Sequence, residues 1–210
     1  MKWRYGLCAG WRLGLLLACL LLVQPTSAAF VDFETDLFGT PLVNGTPITT
    51  QFLPLGVTFQ NATILTAGIT LNEFEFPPHS GANVVFDDDG GMTLLFTTPI
   101  MSVGGFFTYG APLTLQAFLL GSPVAAVNSA FANNMALSGD LGSTPNEFLA
   151  VSFLAGIDEL RITGLAGGGS FVLDDLVFPI PLSEPPMLAL VAAGLLLVRR
   201  PAPTRSRLPG

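Results

Sequence analysis

The run "SFVLDDLVF", from Ser170 to Phe178, sets two adjacent carboxylates inside an otherwise apolar stretch. In an extended strand Phe171, Leu173, Asp175 and Val177 share one face, and Val172, Asp174, Leu176 and Phe178 share the other. Each apolar row therefore carries one acid. A carboxylate buried in such a row must be paired, hydrogen-bonded or metal-bound, or must shift its pKa. Arg161 is the sole Lys or Arg between Ala29 and Leu182, so it is one candidate partner. A structural Ca²⁺ ion is another. Ca²⁺ takes about six to eight oxygens, and backbone carbonyls can complete a set begun by carboxylates. If the first and last strands lie side by side, Asp32 and Glu34 meet Asp174 or Asp175 and form such a set.

The other reactive groups are few. "DDDGG", Asp87–Gly91, begins like a calcium loop but lacks the Asp/Asn-Gly order of an EF-hand, and Thr98 stands where its bidentate Glu belongs. It reads as a charged hairpin turn, where Asp and Gly supply the backbone angles. His79 in "FPPHSG" is the one histidine, and both cysteines, Cys8 and Cys19, lie near the N-terminus. A His/Cys zinc site is excluded. A serine triad would have to use His79, and no G-x-S-x-G elbow is present. His79 reads as an ordinary loop residue beside Pro77 and Pro78. The body has no lysine for Schiff-base chemistry. Spacing alone does not exclude a carboxylate-pair glycoside hydrolase, but no pair of acids stands out for it, so the body reads as non-enzymatic with a glycoside hydrolase ranked below.

The elements that must position these groups are strands. From Phe30 to Phe178 short runs such as "LGVTFQNATIL", "MTLLFTTP", "LTLQAFLL" and "NEFLAVSFLA" alternate with Gly, Pro, Asn and Asp. Runs of this length, rich in Phe, Val, Ile and Thr, indicate an all-β domain. The expected architecture is a two-sheet antiparallel β-sandwich, jelly-roll-like, over residues 29–179. The stretch "SAFANNMALSGDLGSTPN" reads as a long loop.

Charge is segregated. Between Ala29 and Leu182 one base faces fourteen acids, a net charge of −13. That excludes nucleic acid as a partner, since phosphate binding needs clustered Lys or Arg. At the N-terminus, bases, the apolar "LGLLLACLLLV" and "QPTSAAF" form a signal peptide over residues 1–28, expected to be a helix. "LLAC", ending at Cys19, offers a weaker lipoprotein alternative. At the C-terminus a proline-rich spacer, 180–186, leads into the uncharged Met187–Val198. As a helix this is about 18 Å long, against a hydrocarbon core of about 30 Å. Arg199 and Arg200 follow it, which keeps the tail cytoplasmic and the acidic body outside.

The segment 183–207 resembles the PEP-CTERM sorting signal of Gram-negative bacteria, with Glu184 and Pro185 in the box, Gly194 within the short apolar helix 187–198, and Arg199 and Arg200 in the basic cluster. The resemblance implies recognition by an exosortase at the inner membrane, then release or attachment at the cell surface or in an extracellular matrix, with exopolysaccharide and biofilm as associates. The body, through "VDFETDLFGTPLVNGTPITTQFLPLGVTF" and "GGGSFVLDDLVF", resembles domains that precede this signal. That implies a jelly roll like many carbohydrate-binding modules. The expected function is that of an exported, non-enzymatic surface or matrix protein. The alternative is a carbohydrate-binding module with structural calcium. Trp3 and Trp11 both fall in the signal segment, and Tyr109 is the body's one Tyr or Trp, which counts against sugar stacking. A sorting tail that is removed leaves a native mature chain beginning near Ala29 and ending near Ser183, measurable by intact-mass spectrometry. A chain retaining Gly210 would contradict it.

Overall fold

The structure is a computed structural model that describes residues 26–181. Residues 1–25 of the expected signal helix, the apolar helix 187–198 and the sorting residues Glu184, Pro185, Gly194, Arg199 and Arg200 lie outside the described residues. Residues 26–28, expected to end that helix, are strand instead, and so are Ile180 and Pro181 of the expected spacer. No helix among the described residues is long and apolar enough to cross a membrane.

Nine strands carry the described chain: β1 (Thr26–Val31), β2 (Val57–Gln60), β3 (Ala62–Thr66), β4 (Asn83–Asp87), β5 (Met92–Tyr109), β6 (Thr114–Leu119), β7 (Ser122–Asn128), β8 (Glu147–Thr163) and β9 (Phe171–Pro181). The one helical element described is a 3₁₀ turn at Leu53–Leu55. The all-β expectation holds. The division into two sheets does not emerge from the hydrogen bonding, which traces one sheet in the order β3-β4-β9-β5-β8-β6-β7. β1 joins β9, and β2 joins β5. The continuity comes from the 18-residue β5 and the 17-residue β8. Along its first part β5 pairs β2 through Val57↔Phe96, and along its second part it pairs β9 through Phe107↔Leu173. Between the two parts its register against β8 shifts at Ile100, beside Pro99. Proline cannot donate to the ladder, and a bulge there bends the strand.

The core is built on phenylalanine. Phe33, Phe52 and Phe59 meet edge to face with ring centroids 5.8–6.1 Å apart. Such pairs add about 0.5–1.5 kcal/mol to the burial of the rings themselves. Leu94, Phe107, Leu115, Leu149, Ile162 and Leu173 extend the same cluster along four strands, β5, β6, β8 and β9. A smaller cluster of Leu71, Val84 and Val172 lies separately, under partly buried Phe76 and Phe86. It is formed where the segment 67–82 crosses the β3-β4-β9 region.

"DDDGG" is not a hairpin. β4 and β5 do not pair, because β9 lies between them. Asp87 is buried, and its carboxylate accepts the N–H groups of Ser170 and Phe171 at 2.9 and 3.0 Å and the Ser170 hydroxyl at 3.1 Å. It fixes the start of β9 against the end of β4. Burial pushes its pKa up, while the N–H groups of Phe171 and Ser170 oppose the shift.

Candidate functional site

β9 departs from simple alternation at the acid pair. Asp175 has φ 48°, in the left-handed region that aspartate tolerates better than most residues. The register against β5 shifts between Gly104↔Val177 and Phe106↔Asp174. The extra residue turns both carboxylates toward the segment 77–80 rather than to opposite faces.

Asp174 is 1% exposed and acts as an acceptor for backbone amides. Its Oδ2 takes the N–H groups of His79 at 2.7 Å and Ser80 at 2.9 Å. Its Oδ1 takes the N–H of Asp175 at 2.7 Å. Asp175 holds the side chains of the same two residues. His79 Nδ1 lies 2.5 Å from its Oδ2, and the Ser80 hydroxyl donates to its Oδ1 at 2.7 Å. The Ser80 hydroxyl therefore faces a carboxylate and not the imidazole, which is not the geometry of a serine nucleophile.

The imidazole of His79 is stacked on Phe106, centroids 3.5 Å apart and planes 9° from parallel. Phe106 meets Phe148, its direct partner on β8, at 5.1 Å. Phe148 is 52% exposed. Next along the same face come Gly104 opposite Ala150, then Ser102 opposite Ser152. Their neighbours in sequence, Val103, Phe107, Leu149 and Val151, are buried in the core. The outward face thus carries an aromatic row beside a flat strip of small residues. Gly104 is required by close approach: a Cβ there would come within 2.7 Å of the Ala150 Cβ and 3.0 Å of the Phe148 ring. Among the described residues, neither the Ser102 nor the Ser152 hydroxyl has a hydrogen-bond partner.

The segment 67–82 is held by carboxylates at its Ala82 end and at its middle. Glu34 Oε1 accepts the N–H groups of Ala82 and Asn83, both at 2.7 Å. Glu75 accepts those of Leu137 and Ser138, and Asn146 donates to the Pro77 carbonyl at 3.2 Å. The loop 129–146 and the segment 67–82 are thereby tied together.

Of the four residues proposed for Ca²⁺, Asp174 and Asp175 come together. Glu34 is engaged at Ala82 and Asn83, and Asp32 accepts the Glu34 N–H at 3.1 Å. Their oxygens meet N–H and O–H donors, and among the described residues no group of three His, Cys, Asp or Glu side chains could hold a metal. The donor set does not fit the ion. Arg161 does not serve the acid pair either. It lies on β8 against Glu159, 4.3 Å over the Phe118 ring. His79 is more than a loop residue, and Phe106 and Phe148 were not singled out by sequence. One signal was present: in "NEFLAVSFLA" the outward row Phe148, Ala150, Ser152 and Leu154 sets an aromatic among small residues.

Concavities elsewhere among the described residues include one of about 220 Å³ lined by Leu65, Leu71, Phe76, Phe86 and Val172, and one of about 410 Å³ lined by Ile48, Asn61, Thr63, Asp88 and Asp89.

No family model matches the chain, and no curated protein matches it. Among solved structures it is similar to the K2 cleaved adhesin domain of Lys-gingipain, at 16% identity and TM-score 0.44, covering 72% of this chain and 99% of that one. It is also similar to CBM35 from Paenibacillus barcinonensis, at 15% identity and TM-score 0.36, covering 70% and 95%. A family 29 carbohydrate-binding module aligns at 12% identity and TM-score 0.34, covering 73% and 89%. Likeness at this level carries no information about ligand or chemistry.

Burial pushes the Asp174 pKa up to about 6; the Ser80 N–H opposes this, and the charge of Asp175 adds to it. The folded chain therefore holds a proton on Asp174 between pH 4 and pH 6 that the unfolded chain has released. A state that binds more protons loses stability as pH rises, so this group's contribution is present below pH 4 and lost through pH 6. The expected loss is on the order of 2 kcal/mol. Urea denaturation at pH 4 and pH 7 should show this slope reduced in Asp174→Asn, and an unchanged slope would contradict it.

Proposed function

We propose that the body is a non-catalytic, exported binding module whose outward β5-β8 face holds a neutral glycan. The observation that carries this is the row His79, Phe106 and Phe148 standing beside Gly104, Ala150, Ser102 and Ser152. A pyranose ring has an apolar face and a polar rim. Exposed aromatic rings suit the first, and unengaged hydroxyls on a flat strip suit the second. Phenylalanine and imidazole here take the place of Trp and Tyr: Tyr109 is fully buried, and its hydroxyl donates to Glu147 at 2.5 Å. The body charge of −13 favours neutral over anionic chains.

Binding rather than hydrolysis is supported by the state of the acids. Asp87, Asp174, Asp175 and Glu34 are engaged as hydrogen-bond acceptors within the fold. Attack on a glycosidic bond needs one carboxyl to give a proton and a second to act on the opposite side of the sugar. The sheet itself, curled about one phenylalanine core, is consistent with a jelly-roll-like module. Delivery by an exosortase-type system to the surface or to an exopolysaccharide matrix is part of the same proposal. It is supported by the order of Glu184-Pro185, the apolar run with Gly194, and Arg199-Arg200.

The test is affinity electrophoresis and calorimetry of the full chain on cellulose, xylan, mannan and starch. At least one should bind, and Phe148→Ala should weaken it about tenfold, equal to the loss of one stacked ring, with the melting temperature unchanged. Binding that is insensitive to Phe148→Ala would remove this face from the account, and no binding to any neutral glycan would overturn the ligand class.

A further inference from the structure

The two ends of the sheet are treated differently. At one end, the outer edge of β3 is covered by the segment 44–48. Gly45 and Ile48 donate to the Ile64 and Ala62 carbonyls at 2.8 Å, and Ile64 donates back to Thr46 at 2.9 Å. At the other end lies β7, which pairs β6 from Thr114↔Asn128 to Leu119↔Ser122. Among the described residues no backbone group takes up its outer edge.

β7 also lacks the devices that keep an open edge single. Edges are commonly guarded by charged side chains, inward charges or a covering segment. β7 reads "SPVAAVN", with no charge in seven residues of a body that carries −13. Pro123 guards its first turn alone. Its underside is unfinished as well. Val124, Ala125 and Val127 pack on the main core yet stay half-buried, whereas Leu115 and Ala117 on the neighbouring β6 are fully buried. An added strand would pair the ladder and cover these side chains together.

We propose that β7 is a self-association edge, where β7 of a second copy pairs antiparallel across a twofold axis. Two identical strands related in this way satisfy each other's outer N–H and C=O groups through one self-complementary patch. An uncharged strip is the part of this acidic body where two copies can approach with least repulsion. The remaining repulsion between bodies is screened by salt, so association strengthens as ionic strength rises. The pairing leaves the outward faces of both copies free, and a dimer would present two of them.

The test is sedimentation of the full chain over a concentration series at low and high salt, with Ala126→Glu and Ala126→Lys. Ala126 is exposed mid-strand, so both variants keep the fold, which thermal melting verifies. A monomer–dimer equilibrium that tightens with salt is expected. Both variants should weaken it by about tenfold, because either charge meets its own copy across the axis. If Lys strengthens association while Glu weakens it, general attraction between bodies is responsible and the pairing is overturned. Association unchanged in both variants places the contact elsewhere, such as the apolar run 187–198. A monomer at all concentrations overturns the proposal outright.

Discussion

The body depends on backbone amides as counter-groups for buried acid. With a single arginine among fourteen acids, ion pairing cannot neutralise the interior carboxylates. Arg161 is itself engaged at the surface with Glu159. Asp174 takes three N–H groups, Asp87 two and Glu34 two. Charge-assisted hydrogen bonds of this kind are stronger than neutral ones, and losing the acceptor leaves buried donors without partners. Each such acid therefore joins chain segments far apart in sequence: Asp87 joins β4 to β9, and Glu34 joins the first turn to β4.

Asp174 and Asp175 apply the same device to the outward face. Asp174 fixes the backbone of His79 and Ser80, and Asp175 fixes their side chains. The imidazole is thereby set flat on Phe106 and lies in line with Phe148. The left-handed conformation of Asp175 is what lets two neighbouring residues serve one segment. Without it, alternation would send one acid into the core, as a straight reading of the strand implies.

The strands were legible because turn residues bracket apolar runs; the adjacency of β1 and β9 entered only as a condition on the calcium set, and the structure has the two paired. The tension within "SFVLDDLVF" was legible too, as a demand for partners. The identity of those partners was not. Periodicity assumes a straight strand, and the bulge at Asp175 exists only in register with β5. Backbone donors carry no sequence signature, so side-chain partners, Arg161 or a cation, were the visible options. The hairpin reading of "DDDGG" failed for a related reason: local turn chemistry cannot reveal that β9 inserts between β4 and β5. The pairing of Phe106 with Phe148 joins residues 42 positions apart, which only the β5-β8 register makes neighbours.

The most direct measurement is amide chemical-shift mapping of the full chain titrated with a neutral oligosaccharide, in wild type and in Asp174→Asn. Shifts confined to His79, Gly104, Phe106, Phe148 and Ala150, and attenuated in the variant, are the expected result. Shifts centred on Phe76 and Phe86 instead, or equal in the two proteins, would contradict the account that Asp174 assembles the binding face.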